Sequence, residues 1–469
     1  MINFFSFLDD SSYFMDEMGE IILTTPAINF TGTFLIDFPI RISSNCNTVI
    51  KCHQFQVSSD IISFSSIIFE TPLIVEKAKQ FSIANCTIKN TLREKAFTIS
   101  NCENVSISHV TVTDSQNTGL TILNSVVKAD NLSIYNIQYI LMTCNWGSIV
   151  KLTNCNFKQA KEGCVYVFGQ TSIEIENCTF SDAGFDCIYL NSSKIKIKNC
   201  TFRNNKRSGI SLKYSTDFLI ENNQFTNIKE TAIFIEKNSI GTITGNSISD
   251  CNGNGITIYE SDVLVKENNV ENTDFPAFSI AGKTTATLLN NKIAKMKRHG
   301  ICVRNASHAN LEGTEINDCQ FCGISISNTN FCSIQNNSIN NCKLSAIEIF
   351  NNSKVIAKKN VITNIHGNAF SLFIGSSIDA EENQISNIEA AMAKLAFKSG
   401  GNFINNQVSN CRQQFEGETS SFYYFSGNSD FENLTNDRSR IGEFVHLDDR
   451  VFDEKTILCL KCHKNKRDT

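Results

Sequence analysis

The chain has 469 residues with a net charge of −5, both signs interspersed, and 41% apolar residues, so the charge balance excludes nucleic acid and an anionic membrane as expected partners. Only 4 residues are Pro while 56 are Asn and 35 are Phe, which excludes a Pro-rich linker or a disordered chain and supplies material for a long apolar interior.

The opening stretch, Met1 to Glu20, has no basic start and carries Asp9, Asp10, Asp16 and Glu17 where an export signal needs an apolar run. No stretch approaches the roughly 20 uncharged apolar residues of a membrane helix. The expectation is therefore a cytoplasmic or nuclear protein that is not secreted. Residues 1–80 are rich in Phe and Ile with a poor register, which predicts an N-terminal cap and irregular first coils.

From residue 81 to 411 the chain repeats. A small residue opens an alternating apolar strand at Cys164, Cys187, Gly209, Ala232, Gly255, Ala277, Gly300, Gly323, Ala346 and Ala369, in steps of 22 or 23. A second column keeps the same step through Cys155, Cys178, Cys200, Asn223, Asn246, Asn269, Asn291, Thr314, Asn337, Asn360, Asn383 and Asn406. Each unit contains three short period-2 strands separated by turns and no 3.6-period segment, which excludes a helical repeat. Three strands in 22 or 23 residues is the arithmetic of a parallel β-helix, here all-β with about fourteen coils.

The columns have physical readings. Asn at a tight bend bonds to backbone of its own and neighbouring coils, so Asn stacks in a ladder, and Cys fills the same slot as a small, weakly polar residue. A third slot alternates Cys251, Cys319, Cys342 and Cys411 with Ile228, Ile365 and Ile388, which makes it interior as well. Buried packing is expected for these cysteines. Cys302 differs, because alternation from Ile301 and Val303 points it outward and predicts an exposed thiol.

This pattern resembles the right-handed parallel β-helix repeat of pectate-lyase-like enzymes and of the carbohydrate-binding and sugar-hydrolase-like domain of some ubiquitin-ligase subunits. A sugar-cleaving β-helix needs two carboxylates gathered over adjacent coils of one outer face. Asp186 and Glu236 lie two coils apart in different columns and Glu348 lies further on, so no pair stands out. Asn272-Thr273-Asp274, Asp186-Cys187 and Arg298-His299-Gly300 match fragments of the polygalacturonase pattern, but in the wrong order. The same face carries Tyr166, Phe168, Tyr189, Phe234 and Tyr259 over about five coils, and Phe350 with Phe373 beyond. Such a surface is either a docking face for a protein or glycan or is covered by a neighbouring segment.

After Cys411 the repeat stops, and residues 412–457 read as a C-terminal cap and linker. In residues 458–469, Cys459 and Cys462 form a CxxC knuckle ahead of a basic tail, an incomplete zinc site or a coincidence of two cysteines. With Lys464 to Thr469 the segment resembles the opening of the RING finger of inhibitor-of-apoptosis-type ubiquitin ligases. That resemblance implies zinc and a ubiquitin-conjugating enzyme as partner only if a RING follows Thr469. The sequence as a whole predicts a non-catalytic recognition scaffold, the substrate-binding part of such a ligase if the tail is part of a RING. The alternative is a polysaccharide-binding or polysaccharide-cleaving β-helix.

Overall fold

The computed structural model describes residues 12–92, 94–305 and 308–429. Among them there is no helix, so none is long and apolar enough to cross a membrane. One coil shows how the rest is built. Its strands are Ser172–Glu176, Thr179–Ser181 and Ile188–Asn191, and Lys194–Lys198 begins the next coil. Every strand pairs in parallel with its counterpart one coil on: Ile173 with Ile195, Phe180 with Phe202, Leu190 with Leu212. Ile, Val, Leu and Phe occupy the inward positions because branched and aromatic side chains fill a pleated surface, and the inward rows are buried along the chain.

The first strands of the coils form one 20-stranded sheet. The second and third strands form a 34-stranded sheet, joined because Gln384–Leu395 serves as both in a single coil. The result is a right-handed parallel β-helix of about 17 turns, roughly 80 Å long at about 4.8 Å per coil. At its N-terminal end Tyr13–Met15 folds back antiparallel onto Ile21–Leu23, which occupies an edge that would otherwise be open.

The number of turns exceeds the fourteen expected from sequence because regular parallel pairing starts well before residue 81. Val49 pairs with Ile68 and Ile68 with Thr87, steps of 19 residues, whereas Thr87 to Thr111 is 24. Coils of such uneven length escape a search for a 22- or 23-residue step. At the other end, Gln407–Gly417 and Phe422–Ser426 still pair in register with the coil before them. The predicted knuckle at Cys459 and Cys462 lies outside the described residues.

The corner between first and second strands explains the Asn column. A residue with positive φ, such as Asn222 or Gly245, turns the chain, and the next residue points in. Asn223 Nδ2 donates to Ile197 O at 3.2 Å and to Asn246 Oδ1 at 3.0 Å, while Asn246 Oδ1 also accepts Asn223 N–H at 2.9 Å. The ladder runs on through Asn268, Asn291, Asn337, Asn360, Asn383 and Asn406. The sequence column therefore needs one correction. Asn268, and not Asn269, is the ladder residue, and Asn269 stands exposed at the head of the following strand. In the earlier coils thiols do the same work, with Cys155 N–H donating to Cys178 Sγ at 3.3 Å and Cys178 N–H to Cys200 Sγ at 3.4 Å.

The interior holds a second stack. Phe157, Phe180, Phe202 and Phe225 lie face to face with centroids 5.1, 4.9 and 4.7 Å apart and planes within 8°. The parallel register imposes this geometry, since identical inward residues must sit directly above one another. At the small-residue column the coils approach most closely: a Cβ on Gly300 would stand 2.7 Å from the Gly323 carbonyl oxygen. None of the 17 described cysteines is in a disulfide, and most are buried, including Cys251, Cys319 and Cys342.

Candidate functional site

The outer face of the third strands carries two rows in direct register. One runs Tyr166, Tyr189, Ser211, Phe234, Thr257, Ser279, Cys302, Ser325 and Glu348. The other runs Phe168, Asn191, Lys213, Glu236, Tyr259, Ala281, Arg304, Ser327 and Phe350, with Phe373 just past the end of the next strand. Exposed large apolar side chains flank both rows: Phe185, Phe275, Phe321 and Leu344 on one corner, Trp146, Tyr214, Ile374 and Phe397 on the other. Sequence alternation missed these flanks because they sit in turns, where period 2 breaks down.

The seven aromatic residues expected on this face are all half-buried, neither enclosed nor free. Tyr166, Phe168 and Tyr189 form one cluster, with centroids 5.6 to 6.4 Å apart. Burial, with Asp186 adding to it, raises the Tyr166 hydroxyl above its ordinary range. Lys237 lies 5.3 Å over the Tyr259 ring. Phe234 stands between Ser211 and Thr257, and Phe350 follows Ser327.

The carboxylates of this half do not form an acid and base pair. Asp186 Oδ1 accepts Ser208 N–H at 3.2 Å, and its other oxygen lies 3.9 Å from Arg207. Glu236 faces Lys213 at 3.6 Å. Asp274 sits in a corner, held by Lys297 at 2.5 Å and Asn252 at 3.2 Å, so the Asn272-Thr273-Asp274 fragment belongs to a turn.

Further along, the structure gathers residues that sequence reasoning left scattered. His299, Cys302 and Arg304 belong to one coil, Cys322 and Ser325 to the next, and Glu348 to the one after. Cys302 does point outward, but it is buried, which corrects the predicted exposed thiol. It is enclosed between the Arg304 guanidinium on its own strand and the Ser325 hydroxyl one coil on, and burial raises its pKa. Burial also pushes the Glu348 carboxyl up, against weaker opposing hydrogen bonds from Cys322 and Ser325, whose hydroxyl lies 3.5 Å away. His299 packs edge-on against Phe321 at 5.3 Å. Burial, with the nearby charges of Arg304 and Arg298, holds its imidazole down at about 4. Its Nδ1 is buried without a hydrogen-bond partner. The signal that could have found this group is the repeat itself, since residues 23 apart, such as Cys302 and Ser325, are neighbours.

Among the described residues no group of three or more His, Cys, Asp or Glu side chains could hold a metal ion.

Comparison with known proteins bears on the fold. No curated protein sequence matches the chain. Similar solved structures include a variant of the periplasmic alginate epimerase AlgG, at 12% identity over 76% of this chain and 77% of that one, TM-score 0.40. The tailspike of E. coli bacteriophage HK620, in complex with a pentasaccharide, has 11% identity over 87% and 74%, TM-score 0.39. None of these comparisons supports a RING finger at the C-terminal tail or a ubiquitin-ligase role. The model of the right handed beta helix region matches residues 138–291 and 276–435, more than half of the chain. The chain belongs to the right-handed β-helix family.

Proposed function

We propose that this protein binds a polysaccharide, held lengthwise along the outer face of its third strands. One observation carries this reading: Tyr166, Phe168, Tyr189, Phe234 and Tyr259 present half-buried rings on four of five successive coils of a single outer strip. Aromatic faces pack against the apolar C–H surface of sugar rings, and rings already wedged against each other lose little side-chain freedom on binding. Asn191, Lys213 and Glu236 stand among them and supply the hydrogen bonds that an array of hydroxyls requires. A strip that runs over several coils suits a polymer better than a compact ligand, because contacts spread along it can engage successive sugar units together.

Affinity electrophoresis through gels containing soluble polysaccharides tests the proposal. At least one polymer should retard the wild-type protein, and the double substitution Tyr166→Ala, Tyr189→Ala should weaken retardation by at least tenfold without changing the far-UV spectrum. Equal retardation of the double variant and the wild type, or no retardation by any polymer, would sink it.

A further inference from the structure

We infer that the stretch of this face around Arg304 is an oxyanion subsite, in which Arg298, His299 and Arg304 hold a carboxylate or sulfate group of the bound glycan. The inference rests on the polysaccharide reading and adds the charge of the ligand to it. Three observations converge on it. First, the floor of the face is small here: Ser279 and Ala281 precede Cys302 and Arg304, Ser325 and Ser327 follow, and bulk returns only at Tyr259 on one side and Glu348 and Phe350 on the other. Side chains that would fill the strip are missing over three coils, beside an exposed guanidinium.

Second, the cations are unspent. Lys213 and Lys237 on the same face each have a Glu partner, and Arg207 lies between Asp186 and Glu230. Arg298 and Arg304 have no carboxylate within salt-bridge reach among the described residues; Arg298 instead stacks over Phe275 at 4.5 Å. The carboxyl nearest in the rows, Glu348, lies two coils on from Arg304 and faces Ser325 and Cys322 instead. Third, the His299 ring lies within the electrostatic reach of both cations, on the same coil as Arg298 and Arg304. Arginine's planar fork suits carboxylate and sulfate alike.

The test compares polygalacturonate, dextran sulfate and uncharged dextran in affinity electrophoresis of the full chain at fixed ionic strength. Arg304→Gln should weaken retardation by the preferred anionic polymer at least tenfold and leave any retardation by dextran unchanged, whereas Arg304→Lys should keep part of it. A response to polygalacturonate alone assigns a carboxylate, and to dextran sulfate alone a sulfate ester. If Tyr166→Ala, Tyr189→Ala abolishes binding of the anionic polymer while Arg304→Gln does not weaken it, the subsite is overturned and the polysaccharide reading stands. If no polymer binds, the polysaccharide reading fails, and sodium sulfate titrated against the His299 ring resonance decides the subsite. A saturable shift lost in Arg304→Gln upholds it; a linear or unaltered shift overturns it.

Discussion

The Asn ladder makes a demanding prediction because each rung serves its neighbours on both sides. Asn246 Oδ1 accepts the N–H of Asn223 at 2.9 Å, and its Nδ2 donates to Ile220 O at 3.0 Å, Thr244 O at 3.1 Å and Asn268 Oδ1 at 2.9 Å. Asn246→Ala strips the buried Asn223 N–H of its acceptor, at a cost of about 1 to 3 kcal/mol for an orphaned donor. It also leaves the Ile220 and Thr244 carbonyls with one bond fewer and opens a small cavity, which together add about 1 to 2 kcal/mol. The expected loss is about 2 to 5 kcal/mol. Asn246→Thr should cost less, since Thr314 fills the same slot and its hydroxyl donates back to Glu312 O. Asn227 is the control: it belongs to an exposed ladder, donating to Asn204 at 2.8 Å with water on hand to replace it, and because its φ of 55° suits glycine, Asn227→Gly should cost within about 0.5 kcal/mol. Urea denaturation followed by far-UV circular dichroism, with midpoint and slope fitted together, ranks the three variants. A loss below about 0.5 kcal/mol for Asn246→Ala, or equal losses at Asn246 and Asn227, would refute the argument that burial of the ladder decides its worth.

Two further outcomes follow from the interior and from the face. Phe202 lies between Phe180 and Phe225 with no exposure, so Phe202→Ala should cost about 3 to 5 kcal/mol and Phe202→Leu clearly less, by thermal or urea unfolding. His299 gives a pH dependence: its folded value is held down at about 4, from an ordinary 6.5, so between those values the unfolded chain binds more protons. Its contribution is complete above pH 6.5 and is lost as pH falls toward 4, by at most about 3 kcal/mol and by less to the extent that solvent reaches the ring. Comparing urea midpoints of the wild type and His299→Gln from pH 7 to pH 4 isolates the term; parallel curves would show that the imidazole is not held neutral by its surroundings.

How much of this was legible in the sequence depends on which residues are forced to repeat. Inward slots were readable because parallel register sets like upon like, so Cys178 above Cys155 or Ile235 above Leu212 is a demand of packing. The step from Asn246 to the next rung was misjudged by one because two asparagines, Asn268 and Asn269, are adjacent, and only the hydrogen bonds distinguish them. Alternation predicted the direction of Cys302 correctly and its exposure wrongly. Direction is a property of its own strand, whereas depth is set by Arg304 beside it and Ser325 one coil on. The early coils were hidden by steps of 19 residues, which a corner can shorten to without disturbing the strands. The aromatic rings of the face were found by the same alternation, but their flanks, Phe185 and Phe275 among them, were not, because a corner has no period to read.

The difference between inside and outside also says where function is written on such a fold. An inward side chain has the same slot above and below it, so a change of size is felt by two neighbours and the column stays nearly uniform. An outward side chain meets solvent on one side and can change from coil to coil at little cost. The row from Tyr166 to Glu348 does so, passing through Ser211, Phe234, Thr257 and Cys302, while the inward residues of the same strands are Ile, Leu and Val with the single exception of Phe278. What a ligand on the outer face meets therefore differs from one stretch of the rod to another through the outer rows. On the proposed reading, the aromatic part of that row holds the apolar faces of a chain of sugars, and the small part, beside cations without carboxylate partners, holds a charge. The two stretches share one sheet on a common axis, so a single extended polymer can meet both without either stretch having to move.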